Sequence, residues 1–269
     1  MKDKRILYVS SEVVPYLPET EIASTAFDVA KKAHSKGVQT RIFMPRFGVI
    51  NERRHQLHEV IRLSGMNLII NDMDMPLIIK VASIPKERMQ VYFIDNDEYF
   101  KRKAIFTDED DQLFSDNDER AIFFAKGVVE TVKKLNWAPD IIHVHGWMAS
   151  LLPLYLKEYY SEEPLFAESK IVTSVYNKDF EGTLNEDLAE KIKFDKIPDT
   201  KINILEQPNY TNIINSAVIN SDAIVLGGDN VPKEITETID EQKLPLLSYQ
   251  SGDSFESYLD FYRELVSQD

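Results

Sequence analysis

Cysteine is missing altogether from these 269 residues, and glycine, at nine, occurs at about half its usual frequency. The first absence excludes a disulfide framework and any thiolate metal site, and it fits a reducing, cytoplasmic setting. The second argues against several glycine-rich phosphate loops. No apolar run reaches the roughly 18 residues of a membrane-spanning helix. The opening stretch, MKDKRILYV, lacks the layout of a signal peptide. A broad basic field is missing too. With a net charge of −14 and a pI near 4.9, the surface repels phosphate backbones and anionic membranes, so neither nucleic acid nor a membrane is expected as a partner.

What is there is ordinary for a soluble globular chain: 43% hydrophobic and 28% charged residues, with length enough for one large α/β domain or two small ones. Basic residues cluster at 51–63 (NERRHQLHEVIRL) and 99–103 (YFKRK). Both lie close to acidic neighbours and read as solvated faces.

Arg5–Ser10 is a short apolar run suited to a central parallel strand. The turn after it, Leu17-Pro18-Glu19-Thr20-Glu21, contains no glycine. Pro18 is placed as a first helical residue, with Glu19 and Glu21 favouring the positive helix end. Ile22, Ala23, Ala26, Phe27, Ala30 and Ala33 fall on one helical face, and Gly37 closes the helix before a strand at 38–44. Residues 57–95 read as an antiparallel insert of short β-rich runs, in which the Met-rich stretch 65–75 fills core and a loop. A helix is predicted over 118–135, a strand over 140–144, a helix over 149–159, and strands over 170–175 and 222–226 flanking a helix near 209–220. The tail, 231–269, is predicted to be helical at 231–239 and 254–266. The alternation predicts an α/β fold of the Rossmann-like, doubly wound parallel type, a single domain over 1–269. Ligands of such sheets bind beyond the carboxyl ends of the strands.

At those ends lie Ser10-Ser11-Glu12, then His145 to Ser150, then Tyr176 to Gly182, then Gly227 to Glu234. His143 and His145 are expected on opposite faces of their strand, one packed and one at its mouth, which leaves no metal pair. Trp147 can stack on a sugar or fill a gap between helix and sheet. Tyr176 and Asn177 can form a polar pocket or simply end a strand. Gly227-Gly228 is the one stretch resembling a phosphate turn, without GxGxxG spacing. No Ser–His–Asp arrangement, HExxH or Walker motif occurs, no cofactor is implied, and spacing assigns no catalytic residue.

Three stretches together resemble one family, the N-terminal catalytic domain of bacterial glycogen synthases and plant starch synthases. ILYVSSEVVPYL is similar to its opening strand and turn. YFKR with DNDERAIFFAKGVVE matches its helix region at Tyr99, Phe100, Asn117, Glu119, Arg120, Phe123 and Phe124. PDIIHVHGWMASLLPLYLK (139–157) resembles its signature PDIIHxHDWHxxLxPxYLK. The resemblance covers about 4–183, with a weaker echo to 226. It implies the N-terminal half of a GT-B glycosyltransferase, transfer of glucose from ADP-glucose to an α-1,4-glucan, and, for this short branch, no second GT-B domain.

The departures fall on the chemistry. Where the family reads KTGGL, this chain has Pro18, Glu19, Thr20, Glu21 and Ile22. The aspartate and second histidine of HDWH are Gly146 and Met148. The histidine before Asn177 is Tyr176. His145, Trp147, Tyr176 and Asn177 remain as candidate substrate-binding residues, while Pro18 to Glu21 form a degenerate donor-site turn. The expectation is a family member of α-glucan metabolism that binds or regulates without transferring glucose alone. The alternative is an active transferase completed by a second glycosyltransferase chain. The expected partners are an α-glucan or that chain.

Overall fold

The computed structural model describes residues 1–250 and 255–267. Its strands are β1 (Arg5–Ser10), β2 (Gln39–Pro45), β3 (His58–Glu59), β4 (Met66–Ile70), β5 (Met73–Ser83), β6 (Gln90–Asp95), β7 (Ile141–His145), β8 (Lys170–Val175), β9 (Ala223–Leu226) and β10 (Leu246–Leu247). They form a ten-stranded sheet in the order β10-β9-β8-β7-β1-β2-β6-β5-β3, with β4 paired to β5. Every pairing from β10 to β6 is parallel, and those of β5 are antiparallel. The central strands are buried on both faces, which is why they read as continuous apolar runs. Each fully buried Ile, Val or Phe there contributes about 1.5–3 kcal/mol through the area it removes from water.

The main helices are α1 (Glu21–Ser35), α2 (Glu52–His55), α3 (Asn117–Leu135), α4 (Tyr210–Ile219), α5 (Lys233–Gln242) and α6 (Glu256–Val266). The five predicted parallel strands stand within a residue or two of their expected bounds. Four expectations need correction. The insert is shorter than 57–95, because β6 pairs in parallel with β2 and belongs to the main sheet. Pro18 precedes α1 rather than opening it: Thr20 is the N-cap, its Oγ1 accepting from the Ala23 N–H at 3.0 Å. On α1, Val29 is buried and Phe27 only partly so. The helix predicted over 149–159 is broken, since Pro153 supplies no N–H and Tyr155–Tyr159 widens into a π-turn, closed by Tyr160 N–H to the Tyr155 carbonyl at 2.9 Å.

The tail is more than helical. It contributes β10 to the sheet edge beside β9, and α5 begins at Lys233, after Pro232. The predicted start of the last helix, Ser254, lies outside the described residues. Among the described residues no helix is long and apolar enough to cross a membrane.

Candidate functional site

Parallel strands β1, β7, β8 and β9 release the chain at one edge of the sheet, and the candidate residues gather there. Ser11 is fixed first. Its N–H donates to the His145 carbonyl at 2.9 Å and its Oγ accepts from the Met148 N–H at 3.1 Å. Gly146, between these two contacts, has φ +79°, and a Cβ there would lie 2.5 Å from Ser11 Oγ. The position that carries aspartate in the resembled signature therefore has neither the backbone nor the room for one.

His145 and His143 do not point to opposite faces. Residues two apart on a strand share a face, and their rings lie 4.0 Å apart. Both are fully buried, so neither stands open at the strand mouth. His143 lies between the Tyr262 hydroxyl at 2.5 Å and Ser174 Oγ at 2.8 Å. His145 Nδ1 meets the Tyr176 hydroxyl at 2.8 Å. Loss of water pushes the His145 imidazole down to about 3, and burial beside His145 carries His143 well below the ordinary histidine range. Both rings are neutral at physiological pH. Among the described residues no group of three His, Cys, Asp or Glu side chains could hold a metal ion.

Trp147 is 1% exposed and packs against Phe106 and Phe180, with ring centres at 4.8 and 5.1 Å. It fills the gap between helix and sheet rather than offering a face to a sugar. Beside it a cleft of about 390 Å³ is lined by Phe106, Leu113, Phe180 and Asp179. Tyr176 is buried, and Asn177 is committed to the next turn: its Oδ1 accepts from the Asn230 N–H at 2.7 Å and its amide donates to Asp229 at 3.3 Å. Gly227 and Gly228 are small because Tyr176 and Asn177 press on them. The Gly227 N–H is already bonded to the Val175 carbonyl at 2.8 Å, so this turn is a packing device and not a phosphate cradle.

The turn ahead of α1 is closed by its own side chains. Thr20 caps the helix and also donates to Glu12 Oε2 at 2.5 Å. Burial raises the Glu12 carboxyl above the ordinary range, the Thr20 hydrogen bond opposes this, and Asp179 adds to it. Glu21 accepts from the Tyr249 hydroxyl at 3.2 Å. Pro18 and Glu19 are exposed. A cleft of about 480 Å³ opens here, lined by Glu19, Glu21 and Asp28 on one side and by Tyr249, Phe255 and Tyr258 of the tail on the other. No cation lines it.

The tail's part in this site was not expected. Its one sequence signal is Tyr258 and Tyr262, spaced to share a helix face. The salt bridge of Lys32 with Glu256 at 2.7 Å ties α6 to α1.

Fold and site together define a Rossmann-like, doubly wound α/β domain with its candidate residues at the strand mouths. The chain belongs to the starch synthase catalytic domain family, whose model matches residues 5–246. It is 39% identical to the glycogen synthase of Chlorobium limicola over 189 residues, 70% of this chain and 39% of that protein. It is 33% identical to that of Chlorobium phaeovibrioides over 234 residues, 86% of this chain and 47% of that protein. The chain thus spans less than half the length of these relatives. Among solved structures, the catalytic domain of starch synthase IV from Arabidopsis thaliana, bound to ADP and acarbose, superposes with a TM-score of 0.75 at 15% identity, covering 96% of this chain and 53% of that one. At that identity the likeness speaks for the fold alone.

Proposed function

We propose that this chain serves α-glucan metabolism as a binding or regulatory module and does not by itself transfer glucose from ADP-glucose. One observation carries the reading: the cleft at the N-terminus of α1 is lined by Glu19 and Glu21 and by the tail, with no cation among its described lining residues. A diphosphate entering it would meet like charges, each costing about 1–4 kcal/mol at ~4 Å across effective dielectrics of 80 to 20. The helix end, an anion site in principle, is capped by Thr20 and carries the Glu21 carboxylate in its first turn. The cleft beside Trp147 supports the binding half of the reading, because partly exposed aromatic edges next to Asp179 offer the apolar contact and hydrogen-bond acceptor that a sugar ring uses.

The test is calorimetric titration of the full chain with ADP-glucose and with a maltooligosaccharide, alongside an assay for ADP release from ADP-glucose and glycogen. The expected result is no ADP-glucose binding, no ADP release, and weak binding of the glucan. ADP release by the pure chain would overturn the reading. A second reading, a working transferase completed by another chain, is favoured by the family match and by the relatives' greater length. ADP release that appears only on mixing with a chain supplying the second half would select it.

A further inference from the structure

A second cleft, of about 610 Å³, lies beside β2 and β6 between α2 and the turn joining β5 to β6. It shares no lining residue with the cleft at α1, and its occupant is independent of whether glucose is transferred. Its charge is the reverse of the rest of the surface. In a chain with 45 acidic and 31 basic residues, Arg54, Lys86 and Arg88 line this cleft and no carboxylate does.

None of the three has an ion-pair partner among the described residues, because the neighbouring acids are committed elsewhere. Glu52 binds Lys80 at 2.7 Å and Arg46 at 3.4 Å, and Glu87 turns away to Lys31 at 2.9 Å. The basic run at 51–63, expected to be a solvated face, thus contributes an unpaired guanidinium to a concave site.

A second observation is independent of charge. Tyr16, 6% exposed, is one of the residues lining the same cleft, and its buried hydroxyl has no hydrogen-bond partner among the described residues. Phe93 packs edge-on against its ring at 4.9 Å and His55 lies tilted against it at 5.0 Å. Buried hydroxyls without partners are rare because they forfeit their bonds to water.

We propose that this cleft binds the phosphate monoester of a small polyhydroxylated metabolite. Arg54, Arg88 and Lys86 take the phosphate oxygens, Arg through its paired donors and Lys as a point charge. Tyr16 supplies part of the cleft wall beside them. Thr40, Ser83 and Gln90 then face the hydroxylated body, with Gln90 already accepting from Tyr92 at 3.0 Å and so left with its amide to donate. The volume falls within the roughly 300–1,000 Å³ of small-molecule sites. Three cations on a surface of net −14 are too few for a nucleic-acid backbone.

The full chain is titrated with a hexose 6-phosphate, with inorganic phosphate and with the free hexose, by protein-observed NMR or calorimetry. The ester is expected to bind saturably with one-to-one stoichiometry, phosphate to compete more weakly, and the free hexose not to bind. The paired substitution Arg54→Gln with Arg88→Gln, both exposed, is expected to weaken the ester about tenfold or more. Three outcomes overturn the proposal: no saturation below about 10 mM, affinity unchanged in the arginine pair, or phosphate alone binding as tightly as the ester.

Discussion

The two clefts differ in where their polar groups find partners. At the N-terminus of α1, Thr20 bonds to Glu12 and Tyr249 to Glu21, and the strand-mouth residues behind them, Ser11, His145, Tyr176 and Asn177, are bonded to one another or to neighbouring backbone, the buried His145 Nε2 excepted. Beside α2, Arg54, Lys86 and Arg88 have no ion-pair partner and the Tyr16 hydroxyl no hydrogen-bond partner among the described residues. A group bonded internally stabilises the fold and is withdrawn from ligands; a group left without a partner destabilises slightly and remains available. The comparison therefore predicts that substitutions at the strand mouths act on stability, whereas those beside α2 act on binding.

The largest effect is expected where the family signature is restored. Gly146→Asp puts a side chain on a residue with φ +79° and places its Cβ against Ser11. Strain and overlap together are expected to cost about 2–4 kcal/mol, read as a lower midpoint in chemical denaturation. A variant of unchanged stability would mean that Ser11 yields, and the mouth would be less closed than the geometry implies. Thr20→Ala comes next. It removes the cap of α1, worth about 1 kcal/mol, and leaves the buried carboxyl of Glu12 without its donor, for a total of roughly 1–3 kcal/mol. Thr20→Ser retains the hydroxyl and should recover most of the loss, which separates the hydrogen bonds from the lost methyl contact.

Much of this was readable from the chain. Strands β1, β2, β7, β8 and β9 are apolar runs with helices between them, and buried parallel strands cannot look otherwise. What failed had physical reasons. The direction of β6 is not encoded in its own residues, since MQVYFID suits either orientation beside a neighbour. The pairing of His143 with His145 followed from the period of two and was misjudged only in its direction. Trp147 was open between two roles because its spacing is the same in both; only the neighbours, Phe106 and Phe180, decide. The cationic cleft was hidden for a different reason. Arg54 stands more than 30 residues from Lys86 and Arg88, and along the chain each has an acid close by; in space Glu52 and Glu87 point elsewhere.

The smallest effect sharpens the comparison through pH. Burial holds the Glu12 carboxyl above its ordinary value of 4.5, with Asp179 adding to the rise and Thr20 opposing it. A carboxyl raised on folding binds its proton more tightly in the native state than in the unfolded chain. Stability from this group is thus greatest below the unfolded value and declines as pH climbs through the raised native one. Glu12→Gln keeps an acceptor for the Thr20 hydroxyl and removes the charge. The variant is expected to be slightly more stable than the parent at pH 7, by less than about 1 kcal/mol, and to lose that advantage as pH falls below the ordinary carboxylate value. Thermal unfolding of both chains between pH 4 and 8 measures the difference. An advantage that grows as pH falls would mean that Glu12 is ionised with a partner in the fold, and the cleft at α1 would then hold a cation that the geometry does not place there.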